Sequence, residues 1–192
     1  MAISLSDSTT AGRAGTERIR YLAVTVIVLV LDQITKYWVA AALQGDGEIV
    51  VVRGFMNFSY TENPGIAFGM LNNGNMKWLL IAISVAAIAV VIFYLTRTSP
   101  ANRILLIALG LLAGGISGNL IDRIRMGRVI DFIEVFYKTY HWPVFNVADA
   151  AISVGAALLA IDLFLAPAAS RTTAREPGES YTGDPPAAHL ND

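Results

Sequence analysis

Four long apolar blocks set the limits on what this chain can fold into. Tyr21–Leu31 is apolar and, after DQITK, resumes as YWVAAAL, giving a first span over residues 19–41. Trp78–Leu95 is the cleanest block, with Ser84 its one clearly polar residue. Ile104–Ile121 and residues 150–167 are the third and fourth. A stretch of about 20 apolar residues is long enough to cross a bilayer. Inside lipid a backbone must satisfy its own hydrogen bonds, so such stretches are helices. A signal peptide is the rival reading of the N-terminus, but apolar residues resume after Lys36 and lengthen the segment past an ordinary leader. The charged fraction agrees: 15% of the 192 residues, against about a quarter in a soluble domain.

The connections differ in kind. RTSPANR, residues 97–103, is short enough to force an antiparallel pair of helices. Residues 44–72 are longer: GDGE reads as a turn, EIVVVR and FMNFSYT as two short strands around Gly54. Pro64-Gly65 and NNGN then break regular structure. A module of this size buries no core alone, so it must rest on the helices and the membrane surface. The fold class expected is a membrane all-α core of four transmembrane helices carrying a small β-rich module. Residues 1–18 and 169–192 are polar or rich in small residues and are expected to lack structure, leaving 19–168 as the folded domain. In the third span Gly110, Gly114 and Gly118 recur every four residues, a small face along which another helix can approach closely.

Ionisable groups at a bilayer edge are functional candidates by default. They gather between Gly114 and Asp149, which holds Asn119, Asp122, Arg123, Asp131, Asn146 and Asp149. Asn119, Asp122 and Arg123 share one helical face. The bland reading is a polar cluster ending the helix, with Asp122 neutralising an arginine. Arg123 can still present its fork of donors to a carbonyl or phosphate. Asn146 and Asp149 are helix-capping types at the start of the fourth span. A helix N-terminus favours a carboxylate there, which suits the ionised member of a pair. Asp131 lies between Val129-Ile130 and Phe132-Ile133. It is either a strand residue facing solvent or a carboxyl whose apolar setting raises its pKa. Two aspartates in unlike environments can divide acid and base work. Asp32 and Lys36, at i and i+4, read as a structural ion pair. Asn63 before Pro64-Gly65 reads as a turn residue, and Asp162 belongs to the opposite end of its span.

Other chemistries have little to work with. There is no cysteine, and the two histidines are His141 and His189. This removes thiolate chemistry and argues against a zinc site. Neither a metal nor a cofactor is expected. The net charge of −1 argues against nucleic acid as a partner. With four spans the termini share one side, and the cations do not choose it. Arg13, Arg18, Arg20, Arg97, Arg103, Arg171 and Arg175 lie on one side. Lys36, Arg53, Lys77, Arg123, Arg125, Arg128 and Lys138 lie on the other. The arginines that directly flank spans lean towards cytoplasmic termini.

Taken in order, DQITK (32–36), ENPGIAFG (62–69), GGISGNLIDR (114–123), GRVIDFI (127–133) and FNVADAAISVG (145–155) resemble the lipoprotein signal peptidases, the bacterial type II signal peptidases. Pro64 is a minor departure that touches local loop shape. The resemblance implies a membrane-embedded aspartyl endopeptidase that cleaves a prolipoprotein before its diacylglyceryl-modified cysteine. It puts the catalytic pair on Asp131 and Asp149, with Asp122 the rival for the first place. It gives Asn63, Asn119, Asp122, Arg123 and Asn146 substrate-binding or supporting roles, and Asp32 and Lys36 structural ones. It makes the β-rich module an extracytoplasmic cradle for the lipid-modified peptide. It also implies cytoplasmic termini in the cell membrane and a site near the outer leaflet. The expected partners are prolipoproteins and membrane lipids, and the expected state is a monomer.

A small transporter or channel subunit using Asp32, Asp122 and Asp149 is the reading from another class. It would spread carboxylates through successive depths, whereas Asp122, Asp131 and Asp149 gather at one end. A presenilin-type protease is set aside because TGD at 182–184 lies in the tail.

Overall fold

The computed structural model describes residues 5–45, 47–65 and 75–165. Four helices carry the apolar blocks: α1 (Leu5–Leu43), α2 (Asn75–Arg97), α3 (Arg103–Met126) and α4 (Val147–Leu165). Each contains a segment long and apolar enough to cross a membrane, as the sequence reading expects. α3 is the centre of the bundle. Half of its spanning window is buried, against 11% for α2, and it packs on each of the other helices. The outward residues of the others, such as Ile83, Val90 and Phe164, are exposed apolar groups facing where lipid would lie.

The α1–α3 seam follows from the glycines. A Cβ built on Gly110 would stand 2.9 Å from the Tyr21 carbonyl oxygen, and one on Gly114 2.8 Å from that of Thr25. Those are backbone atoms that cannot yield, so only glycine lets α1 come this near. Thr25 uses the proximity to donate to the Gly110 carbonyl at 3.1 Å. At one end of the bundle Asn102 caps α3, accepting from the Leu105 N–H at 3.1 Å, and donates to Asp162 of α4 at 2.9 Å. Asp162 is thus tied to the 97–103 link, away from the other aspartates.

At the opposite end lies a four-stranded antiparallel sheet in the order β1 (Glu48–Val52), β2 (Met56–Asn63), β3 (Val129–Tyr137), β4 (Tyr140–His141). The β-rich module was expected from residues 44–72 alone; half of its strands come from the second long connection. β3 escapes a pattern search because Val129, Ile130, Asp131 and Phe132 are all buried, which removes the alternation of a half-exposed strand. Phe132 joins Val39 and Leu43 of α1 in a small core. Phe58 meets both Trp38 and Phe132 edge to face, at 6.2 and 5.7 Å. The sheet is thereby fixed to α1 rather than standing free.

The structure differs from expectation at the N-terminus. α1 begins at Leu5 and takes in residues expected to lack structure. Once the apolar span is helical, each further residue adds a hydrogen bond without a new nucleus. Residues 66–74, which take in NNGN up to its last residue, and the tail 169–192 lie outside the described residues.

Candidate active site

The sheet end of the bundle collects the acidic, amide and basic candidates of the sequence reading, while Asp162 lies at the other end. α1 brings Asp32 and Lys36, α3 brings Asn119, Asp122 and Arg123, and α4 carries Asp149 in its first turn, just after Asn146. β2 ends in Asn63 and β3 carries Asp131. Asp32, Lys36, Asn119, Asp122, Asp131 and Asn146 are buried, Arg123 and Asp149 are half-buried, and Asn63 is exposed. The site therefore has a closed floor and an open rim.

Asn146 and Asp149 form a reciprocal helix cap. The Asp149 N–H donates to Asn146 Oδ1 at 2.9 Å, and the Asn146 N–H donates to Asp149 Oδ2 at 3.3 Å, the capping-box arrangement. That fixes the Asn146 side chain so that its Nδ2 donates to Asp131 Oδ1 at 2.6 Å. From the other side Asn63 Nδ2 donates to Asp131 Oδ2 at 2.8 Å. Asn63 Oδ1 meanwhile accepts from the Gly65 N–H at 2.8 Å, so the turn ending β2 also aims this amide. Asn119 Nδ2 donates to Asp149 Oδ1 at 2.8 Å, and Asn119 Oδ1 accepts from Asn146 Nδ2 at 3.2 Å. Asp131 and Asp149 are thus joined through two asparagine amides.

Burial pushes the Asp131 carboxyl up to about 6. The Asn63 and Asn146 amides and the charge of Lys36 pull it down, and the charge of Asp149 adds to the rise. A carboxyl of this kind holds its proton well above the ordinary carboxylate range and can act as an acid.

Beneath the pair lies an ionic floor. Lys36 Nζ stands 2.9 Å from Asp32 Oδ2 and 2.8 Å from Asp122 Oδ2. Asp122 therefore pairs with Lys36 of α1, and not with an arginine as the helical spacing suggested. Asp32 also accepts from the Ala148 N–H at 2.9 Å, tying α1 to the first turn of α4. Gln33, which sequence reasoning passed over, donates to Asp32 at 3.2 Å, to Asp122 at 3.2 Å and to the Gly118 carbonyl at 3.3 Å. Its only signal was its place inside DQITK. Arg123 donates weakly to the Asn119 carbonyl at 3.4 Å. A Cβ on Gly65 would stand 3.9 Å from its Nη2, so the fork lies beside the turn that follows Asn63. His141 lies away from this network, 3.3 Å from Glu134 on the β3–β4 hairpin.

Four spans with an acid-and-amide site at one common end define a multi-pass membrane protein equipped for acid–base chemistry. The profile of the family described as signal peptidase (SPase) II matches residues 24–165, most of the chain. A lipoprotein signal peptidase of Symbiobacterium thermophilum is 40% identical over 144 residues, covering 75% of this chain and 93% of the relative. One from Cellvibrio japonicus is 42% identical over 159 residues, covering 82% and 91%. A bacterial membrane enzyme solved by the in meso method at 2.3 Å superposes with a TM-score of 0.69 at 28% identity, covering 83% of this chain and 94% of that one. This chain belongs to the signal peptidase II family and is a membrane peptidase.

Proposed function

We propose that this peptidase is of the aspartyl type and removes the signal peptide from prolipoproteins by cleaving before a diacylglyceryl-modified cysteine, with Asp131 and Asp149 as the catalytic pair. The observation that carries this is the linkage of the two carboxylates through Asn146 and Asn119, one buried and proton-holding, the other half-buried at a helix N-terminus. The substrate class follows these two relatives, both lipoprotein signal peptidases.

In this mechanism Asp149 takes a proton from water as the water oxygen attacks the scissile carbonyl carbon. Asp131 donates its proton to the carbonyl oxygen. The tetrahedral diol then collapses: the C–N bond breaks, the leaving amine takes the proton held by Asp149, and Asp131 recovers one from the diol hydroxyl. No step needs a nucleophilic side chain or a metal. Asn63 and Arg123, at the rim, are assigned to hold the substrate. Asn119, Asn146 and Asp122 support the pair from below. The sheet is the cradle for the lipid-modified segment. The termini are assigned to the cytoplasm and the site to the outer leaflet, a reading supported by Arg97 and Arg103 beside the spans at the end away from the site.

The test is cleavage of a purified prolipoprotein by the purified protein with a chelator present. Cleavage of the diacylglyceryl-modified substrate, and not of its unmodified form, is expected. Chelator-sensitive activity would contradict the aspartyl reading, and equal cleavage of both forms would contradict the substrate assignment.

A further inference from the structure

Lys36 takes no part in the chemistry just described, yet it sits buried against it. Its Nζ has three close acceptors: Asp32 Oδ2 at 2.9 Å, Asp122 Oδ2 at 2.8 Å and Asn119 Oδ1 at 2.9 Å. An ammonium carries three N–H donors and no acceptor. Every donor is used, and only an oxygen can face it.

The geometry points to Lys36 as a positioning residue that sets which way round the Asn119 amide stands, and so delivers an N–H donor to Asp149. The inference rests on the reading of Asp131 and Asp149 as the catalytic pair. With Oδ1 turned to Lys36 and to Asn146 Nδ2, Asn119 must present Nδ2 to Asp149, as it does at 2.8 Å. The flipped amide would set its NH2 against two donors, Lys36 Nζ and Asn146 Nδ2, and its oxygen against a carboxylate oxygen. All three contacts would turn repulsive in a buried site. Asn146 is oriented by a separate device, the α4 cap. The two amides thus receive their direction from different sources, and each hands an NH2 group to one aspartate.

Lys36 is itself aimed from two helices. Asp122 reaches it from α3. Asp32 is held by the Ala148 N–H and by Gln33. Gly118 leaves the space that Asp32 occupies, since a Cβ there would fall on its carboxylate. The chain of control runs from Gly118 and Asp32 through Lys36 and Asn119 to Asp149. A role limited to holding α1 on α3 would not require Lys36 to spend its third donor on Asn119.

The test compares Asp122→Asn with Lys36→Met/Asp122→Asn. The double variant removes one cation and one anion together, and Asp32 keeps its two N–H donors, so the fold can survive. At matched thermal midpoints the double variant should lose about a hundredfold in kcat relative to Asp122→Asn, the scale of a small misplacement at a reacting centre. KM should stay within about twofold, because the substrate rim is untouched. Adding Asn119→Ala should cost as much as Lys36→Met in the Asp122→Asn background, and almost nothing once Lys36 is gone. An unchanged kcat in the double variant, or an equal Asn119→Ala effect in both backgrounds, would overturn the inference. Should the double variant not fold, Asn119→Asp decides: it still gives Lys36 an oxygen but shows Asp149 an oxygen as well. Its kcat should collapse, and a wild-type kcat would overturn the inference. Asp131→Asn and Asp149→Asn are run alongside. If they keep turnover, the catalytic-pair reading fails and takes this one with it. If they are dead while the Lys36 and Asn119 variants turn over normally, this inference fails alone.

Discussion

Asp131 is the residue whose surroundings say most. It is buried, its two oxygens are held by different asparagines, and its pKa is raised to about 6 from an ordinary 3.8. A raised folded-state pKa means that the fold prefers the protonated form. Its contribution to stability is complete below the unfolded value and is lost as pH rises through about 6. The thermal midpoint in detergent should therefore fall between about pH 4 and pH 7, and Asp131→Asn should flatten that slope. Identical slopes in the two proteins would mean that Asp131 is not held in its neutral form. At this scale much was legible in the sequence. A carboxylate between Val129-Ile130 and Phe132-Ile133, and another opening an apolar block, are costly and therefore conspicuous. The pairing of Asp122 with Lys36 and the reach of Gln33 were not legible, because they join α1 to α3 across a separation that no local spacing encodes.

The element that decides the site's geometry is the α1–α3 seam. Its glycines were readable from their four-residue spacing, since the same face recurs each helical turn. Gly114→Ala would put a methyl group 2.8 Å from both the Thr25 carbonyl oxygen and the Val28 Cβ. The helices must then part, which moves Lys36 away from Asn119. Overpacking of this kind costs about 1–3 kcal/mol, and turnover should drop with stability. Ile83→Ala, on the outward side of α2, should stay within about 0.5 kcal/mol. Denaturation of both variants in detergent checks the contrast, and equal losses would show that the seam is not as tight as drawn. The sheet was only half legible. β1 and β2 carry ordinary strand composition around a turn at Gly54. β3 is buried where it carries Asp131 and shows no alternation there. Its partner β2 lies on the far side of two helices in the sequence, so their pairing is a product of the fold.

At the scale of the whole molecule, the described residues form a four-span bundle with the candidate site at one end, and the proposed orientation puts that end outside the cell. The chain has no cysteine, so single cysteines report sidedness cleanly. Tyr140→Cys, exposed on the β3–β4 hairpin, should label with an impermeant maleimide in intact cells. Ser99→Cys in the opposite link should label only after the membrane is opened, and the reverse pattern would invert the topology. Four spans and a cluster of acids at one end were visible in the sequence; the orientation was not, because the cations divide evenly between the two sides. The central claim is the catalytic pair, and single-turnover cleavage of a diacylglyceryl-modified prolipoprotein tests it most directly. It should be measured on purified Asp131→Asn, Asp149→Asn and Asp122→Asn proteins with folding checked separately. The first two should lose nearly all turnover, and combining them should cost little more, because groups acting as a unit are not additive. Asp122→Asn should lose yield or stability and stay partly active. A folded Asp131→Asn enzyme that still cuts, beside a folded but dead Asp122→Asn enzyme, would contradict the assignment and move the pair to Asp122 and Asp149.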